Sequence, residues 1–548
     1  MIADIYELSP MQLGMLFQAE YSPQSTANFN QFSCKISGQL KPQPYRQAWE
    51  KLVERHGILR TSFHWRGIDK PVQVVLDKVT LPWSYEDWRS LDAESIAIKW
   101  QEHLLADRRA GFALDRAPLM RCTLARTAEF EYLFNWSHHH ILMDGWCLSL
   151  VMEEFFKTYK ALCARKTLNL PPSASYRTYI QWLQRQDLNE ARDYWSKYLE
   201  GFGATTEVPV GAKLSRRSGA GELLGCKLPA SLGQSLRRVA NQHQITPNIL
   251  IQGAWALFLS RYSSERDIVF GATVSGRPPD LPGAGNMLGL FINTIPVRVQ
   301  IEDRAPLVDW LKQIQVRQAG RSRYEFAPLS DIQQWSELPR GMPLFSSNVI
   351  FMNYPLNESL TRGANGLVIS EPQIYDQTDN LLQLQVTPGS EWTLEITYDT
   401  SRFEQGTIER MLGHVQTLLE GFVEDPGRPV GQFPMLTAAE QEQLLTTFND
   451  TSARFDANRS FVERFEEGAA AAPWRIVAEC EGRRLSWEQV NEGANRLARK
   501  LLAVRPLGAD DLVAVLMRRS ERMLESILAI WKCGAAYVPI EVDYPESR

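Results

Sequence analysis

Histidine and cysteine are both scarce in this chain of 548 residues: it has eight of the first and seven of the second. The cysteines (Cys34, Cys122, Cys147, Cys163, Cys226, Cys480 and Cys533) are scattered with no C-x-x-C pair, so their spacing indicates neither a zinc knuckle nor a disulfide framework. Most are expected to be small buried hydrophobes in a reducing compartment. No uncharged apolar run approaches the roughly 20 residues a membrane helix needs. The opening MIADIYELSPMQLGMLF has neither the basic start nor the apolar middle of a signal peptide. A cytoplasmic setting with no membrane partner is therefore expected. Blocks of lysine and arginine are also missing and the net charge is -5, so no nucleic-acid partner is expected. Low-complexity tracts and fixed-period repeats are absent. Hydrophobic content of 44% with 22% charge is that of an ordinary folded chain, and this length accommodates roughly two to four folded units.

What the chain does carry is hydrophobic periodicity that switches between strand and helix spacing. PYRQAWEKLVERH (Pro44 to His56) reads as an amphipathic helix, and ILRTSFHW after it reads as extended. EYLFNWSHHH is aromatic-rich and strand-like, whereas GWCLSLVMEEFFKTYKAL, from Gly145, has the length and composition of a helix. YRTYIQWLQRQDLNEARDYWSKYLEG predicts helices, and Thr246 before Pro247 predicts an N-cap opening PNILIQGAWALFLSRY. DIVFGATVSGRP (Asp267 to Pro278) predicts a buried strand ending in a turn. LGLFINTIPVRVQ, LFSSNVIFMNYP and WTLEITYDTSRF supply further strands, and TIERMLGHVQTLLEGFVED another helix. Interleaving of this kind implies α/β or α+β layers. Periodicity stops where proline and glycine cluster in DPGRPVGQFP (Asp425 to Pro434), as at a domain boundary. A polar linker with one short helix follows, and a new α/β unit begins near residue 461.

Three of the eight histidines are consecutive, in HHHILMDGW (His138 to Trp146). An affinity tag would lie at a terminus among polar residues, and this run is internal, between Trp136 and Ile141. Metal binding is disfavoured because adjacent histidines on a strand point to opposite faces, so His139 and His140 can hardly share one ion. No metal site is expected. Buried, hydrogen-bonded histidines would explain one face but not the pair together with Asp144 and Gly145. A strand-to-helix turn can present His140 into a cleft while His139 packs behind it. Asp144 is placed to cap the helix or meet an arginine, and Gly145 leaves room for a substrate near the backbone.

His139 to Gly145 also matches HHxxxDG, and here the chain resembles the condensation domains of nonribosomal peptide synthetases, within the chloramphenicol-acetyltransferase-like superfamily. LSPMQLGMLF (Leu8 to Phe17) resembles the family's first core motif and RHGILRTSF (Arg55 to Phe63) its second. YIQWL with Tyr194 and Trp195 resembles the fourth, and LGLFINTIPVR (Leu288 to Arg298) the fifth. RYEFAPLSDIQ (Arg323 to Gln333) resembles the sixth in a form that departs from the usual HxxYPFE, and LFSSNVIFMNYP (Leu344 to Pro355) the seventh. In the tail, LSWEQVNEGANRLARKL (Leu485 to Leu501) and WKCGAAYVPIEVDYPESR (Trp531 to Arg548) resemble the first two motifs of an adenylation domain. The later phosphate-binding loop of such a domain and a carrier motif with a modifiable serine are not found in the sequence. The fragment is therefore not expected to use ATP, and both acyl-carrying arms are expected to come from elsewhere.

The resemblance implies two chloramphenicol-acetyltransferase-like lobes in a V-shaped pseudo-dimer, with a tunnel between them entered from both sides. The expected division is 1–172 and 173–435 for the lobes, 436–460 for the linker and 461–548 for a partial adenylation domain. It implies amide formation between an upstream carrier-bound aminoacyl or peptidyl thioester and the amine of a downstream carrier-bound aminoacyl group. The phosphopantetheine arms arrive on partner carrier domains, and no cofactor is bound covalently. His140 is the expected catalytic group, as a general base or a positioning acceptor. Asp144 is expected to turn away from the reaction and pair with Arg60, or otherwise Arg55. His139 and Gly145 support the turn, with the backbone near Gly145 a candidate oxyanion stabiliser. Trp195, Asn293 and Thr294 read first as structural residues. The alternatives are a non-catalytic carrier-docking domain, an epimerisation domain and a coenzyme A-dependent acyltransferase. Retention of both histidines disfavours heterocyclisation and scaffold readings, and a following adenylation start favours condensation.

Overall fold

The computed structural model describes residues 1–21, 28–209, 221–352, 366–376, 382–455 and 457–543. Residues 353–355 of the seventh motif and 544–548 of the last adenylation motif lie outside them. The chain forms two compact units, Met1–Gln441 and Glu442–Arg548. Among the described residues no helix is long and apolar enough to cross a membrane.

In the first unit helices and strands interleave, and among the described residues the strands form three sheets. The sheet that matters for the site runs in the order Val368–Asp376, Phe29–Ser37, Glu131–His139, Met120–Ala128, Trp83–Asp87. Its central strand is buried on both faces. Tyr132, Phe134 and Trp136 alternate into an aromatic core, where Trp49 lies 5.7 Å from Phe134 and 4.8 Å from Trp136, ring centroid to centroid. Asn135 and Ser137, on the other face, donate to Asp107, which also binds Arg121. Polar residues can be buried at these positions because each finds a partner.

A six-stranded sheet runs Asn293–Gln300, Asp267–Val274, Ser347–Phe351, Leu382–Thr387, Thr393–Asp399, Gly221–Lys227. Helices Ala230–His243, Pro247–Ser263, Leu307–Arg321 and Gln405–Glu424 contribute to a second large core. Three shorter strands, Ile2–Glu7, Val72–Leu76 and Thr61–His64, make the remaining sheet. Val368–Asp376 comes late in the chain but pairs with Phe29–Ser37, so the two halves share a sheet.

Several local expectations are refined by the structure. Ile58 to Arg60, expected to be extended, lie instead in a 3-10 turn, Gly57–Arg60, that buries both Ile58 and Leu59 before the strand Thr61–His64 begins. Thr246 stands at the N-cap of Pro247–Ser263, yet its hydroxyl makes no capping bond, and its N–H instead donates to Gln315 Oε1 at 2.9 Å. The DPGRPVGQFP stretch is clasped to the unit: Val430 and Phe433 are buried, and the Leu307 N–H donates to the Arg428 carbonyl at 3.1 Å.

In the second unit the helices Phe461–Ala471, Trp487–Val504 and Glu521–Lys532 accompany a hairpin (Ile476–Cys480, Arg483–Ser486) and a parallel pair (Leu512–Leu516, Ala536–Ile540). Ser460 with Glu463 and Ser486 with Gln489 form capping boxes that fix the first two helix starts.

Candidate active site

The histidine run sits where the central strand Glu131–His139 gives way to helix. Pairing sets His139 opposite Phe29 and His138 opposite Met120. His140 then opens a 3-10 turn, His140–Leu142, so the rings of His139 and His140 leave the strand's alternation at this point. The turn's apolar residues, Ile141, Leu142 and Met143, are buried and anchor it in the core. Asp144 caps the helix Gly145–Cys163, its carboxylate accepting from the Cys147 N–H at 3.3 Å. Gly145 is the first helical residue and its φ is not left-handed, so it is not held by backbone strain.

Hydrogen-bond partners assign the tautomers of the two histidines of the motif. His140 Nδ1 lies 2.9 Å from the Met143 carbonyl. A carbonyl only accepts, so Nδ1 carries a hydrogen, and in the neutral ring the lone pair is then on Nε2. His139 has the reverse arrangement: its Nδ1 accepts from the Ile141 N–H at 3.1 Å, which leaves the hydrogen on Nε2. The His140 N–H donates to the Asn28 carbonyl at 2.7 Å. Among the described residues nothing engages His140 Nε2, which is not one of the fully enclosed polar atoms, and the residue keeps 8% of its surface open. Burial, reinforced by the neighbouring histidines, pushes His138 and His139 down to about 3. Both are therefore neutral at physiological pH, and His138 stacks on Trp136 at 4.8 Å.

The expected partner of Asp144 is corrected by the structure. Its carboxylate binds Arg277 Nη2 at 3.3 Å and the Phe291 N–H at 2.9 Å. Arg60 donates instead to the carbonyls of Val53, Leu76 and Asp77, and Arg55 pairs with Glu154 at 2.9 Å. Arg277 reaches Asp144 because Gly276 turns the chain at φ +59°, where a Cβ would stand 1.7 Å from the Phe291 carbonyl oxygen. The guanidinium lies over the Phe291 ring at 4.1 Å, donates to the Ala284 and Met287 carbonyls, and touches Cys147 Sγ at 3.2 Å. Burial pushes the Cys147 thiol up, so it is an inert packing group. Sequence periodicity marked the SGRP turn but gave no sign that its arginine meets the histidine motif.

The remaining candidates lie apart from this turn. Trp195 is fully buried, donates to the Tyr324 carbonyl at 3.2 Å and packs edge-on against Tyr194 and Tyr198. Asn293 donates to the carbonyls of Glu325 and Ala327 at 2.7 and 2.8 Å, pinning the loop of the sixth motif. A cavity of about 540 Å³ is bordered by Arg277 and Phe291 together with Ser9, Tyr179, Trp182 and Glu325; His140 is not in its lining. Burial pushes the Glu325 carboxyl up to about 7. Among the described residues no group of His, Cys, Asp and Glu is placed to hold a metal ion.

The Condensation domain family model matches residues 2–445, and the AMP-binding enzyme model matches residues 465–548. The chain is 40% identical over 550 residues to one polypeptide of the linear gramicidin synthase of Brevibacillus parabrevis, covering 100% of this chain and 11% of that relative. The chain thus spans about a tenth of that curated relative's length. A solved structure of the nonribosomal peptide synthetase FmoA3 aligns with a TM-score of 0.74 at 21% identity, covering 99% of this chain and 56% of that one. The first condensation domain of the CDA synthetase aligns with a TM-score of 0.63 at 18% identity, covering 79% of this chain and 100% of that one. Likeness at this level of identity establishes the fold.

Proposed function

The chain belongs to the condensation-domain family, and on that premise we propose that its first unit joins two carrier-bound acyl groups through a peptide bond, with His140 at the reacting nitrogen. The donor is an aminoacyl or peptidyl thioester on an upstream carrier domain. The acceptor is the α-amine of an aminoacyl thioester on a downstream carrier. Phosphopantetheine arms of those carriers bring both groups in, and the residues matched to the AMP-binding enzyme family begin the adenylation domain of the same synthetase.

The observation that carries this reading is the lone pair at His140 Nε2, left on that nitrogen by the Nδ1 hydrogen bond to Met143 and unpartnered among the described residues. A thioester is already activated, so orientation supplies much of the barrier reduction. The amine nitrogen attacks the thioester carbon and a C–N bond forms. Its proton passes to Nε2, the C–S bond breaks, and the departing thiolate takes the proton back. Neutral His138 and His139 place no positive charge beside His140 that would oppose proton uptake. Asp144, Arg277 and the Phe291 N–H hold the turn and do not take part in the chemistry.

The test loads matched upstream and downstream carriers with candidate aminoacyl groups, adds the chain and follows the downstream carrier by intact mass. Appearance of a dipeptidyl thioester supports condensation. Mass gain only with acyl coenzyme A, inversion of the donor without transfer, or carrier binding with no transfer would each replace it with another reading.

A further inference from the structure

We infer that Gln12 is a positioning residue for His140, acting through the carbonyl of Ile141; this rests on the reading of His140 above. Gln12 lies in the helix Pro10–Tyr21 and is completely buried. Its Nε2 donates to the Ile141 carbonyl at 3.2 Å, in the middle of the turn that carries His140. The orientation of the amide is determined by its neighbours. Its Oε1 accepts from the Ser9 N–H at 2.9 Å, which can only donate, while the Ile141 oxygen can only accept, so a flipped amide would lose both bonds. Gln73, also fully buried, fixes the amide from a third side: its Nε2 donates to Gln12 Oε1 at 3.0 Å and to the Glu7 carbonyl at 2.9 Å.

The other polar anchors of the turn among the described residues lie at its two ends. The Ile141 N–H is taken by His139 and the His140 N–H by Asn28, both on its entry side. The Met143 carbonyl that sets the His140 tautomer lies on its exit side. Gln12 is the side chain that ties the middle of the turn to a separate helix. Without that tie the Met143 carbonyl can drift from Nδ1, and the lone pair at Nε2 loses both its direction and its tautomeric bias.

The experiment compares Gln12→Met and Gln12→Asn with the unmodified chain. Methionine keeps the volume but removes the donor. Asparagine keeps the amide one methylene short of Ile141, so whichever variant folds answers the question. Gln73→Met is the comparison that removes a neighbour of the amide but keeps the Gln12 donor and its Ser9 contact. Two measurements are read on folded protein: condensation kinetics with loaded carriers, and the ¹⁵N shifts of the His140 ring, assigned by their loss in His140→Ala. The expected result is a kcat lowered about 10- to 100-fold with KM for both carriers within about twofold, together with loss of the Nδ1-protonated signature. A Gln12 variant that keeps both kcat and the signature would overturn the inference. The ring signature does not depend on turnover, so it judges Gln12 even if His140→Ala remains active and the proposed chemistry fails.

Discussion

Two arginine–carboxylate pairs brace the helix that follows the histidine motif, and they are built differently. At its start, Asp144 and Arg277 are almost sealed, with side chains 0% and 6% exposed, and the two residues come from distant parts of the chain. Further along, Glu154 and Arg55 are 19% and 24% exposed, and Arg55 belongs to the second sequence motif. Glu154 also binds His56, whose other ring nitrogen meets Ser173 at 2.9 Å. The first pair fixes the turn that presents His140. The second cross-links helix Pro42–Arg55, helix Gly145–Cys163 and the segment before Tyr176. Burial rather than distance separates their roles, because removing one partner of a sealed pair strands a charge, whereas water can replace a partner at a half-open one.

The largest effect is therefore expected from Asp144→Ala, which should cost about 3 to 5 kcal/mol by leaving Arg277 buried and unpaired. Denaturant unfolding would measure it, and soluble yield should fall at least as far as turnover; a stable, soluble, inactive variant would show that Asp144 acts in the chemistry instead. Arg277→Lys should cost about 2 kcal/mol, since one ammonium cannot serve Asp144 and the Ala284 and Met287 carbonyls together. Calorimetric melting would register the loss, and an unchanged melting temperature would place the strength of this centre elsewhere.

Acid sharpens the contrast. His138 and His139 are pushed down to about 3 in the fold, so below the ordinary histidine value near 6.5 the unfolded chain takes up protons that the folded chain refuses. Stability should be unaffected above that value and fall as pH drops from about 6.5 toward 4.5, by about 1 kcal/mol per pH unit for each histidine. A flat unfolding free energy across this window would contradict their burial as neutral rings. The smallest effect is expected from Arg55→Ala, at about 1 kcal/mol. Burial alone would raise the Glu154 carboxyl, but the His56 hydrogen bond and the Arg55 charge outweigh it and lower it overall. That contribution is present above the ordinary carboxylate range and lost as pH falls through it, so Arg55→Ala should also weaken the acid dependence measured below about pH 4.5.

The elements around the site were legible because their periodicity is strong. The alternation of Tyr132, Phe134 and Trp136 gives way at Asp144 to helical spacing, and the strand Glu131–His139 and helix Gly145–Cys163 follow that change. Family motifs carried the fold class, and structural likeness to condensation domains agrees with it. What sequence could not supply was tertiary pairing. An arginine in the second motif looked the natural partner for Asp144, yet the carboxylate is met by Arg277, brought there by the turn at Gly276, and by the Phe291 N–H in the loop before the strand Asn293–Gln300. The crossing of Val368–Asp376 into the first half's sheet was equally hidden, since strand order is decided by packing among segments far apart in the chain.

His140 as the acceptor of the amine proton is the centre of the account. The direct measurement is a single-turnover reaction of preloaded carriers, quantified as dipeptidyl thioester by intact mass, comparing the unmodified chain with His140→Ala after both are shown to be folded. Product formation by the variant should fall at least about 100-fold while carrier binding is kept. Product formed at the unmodified rate would contradict it.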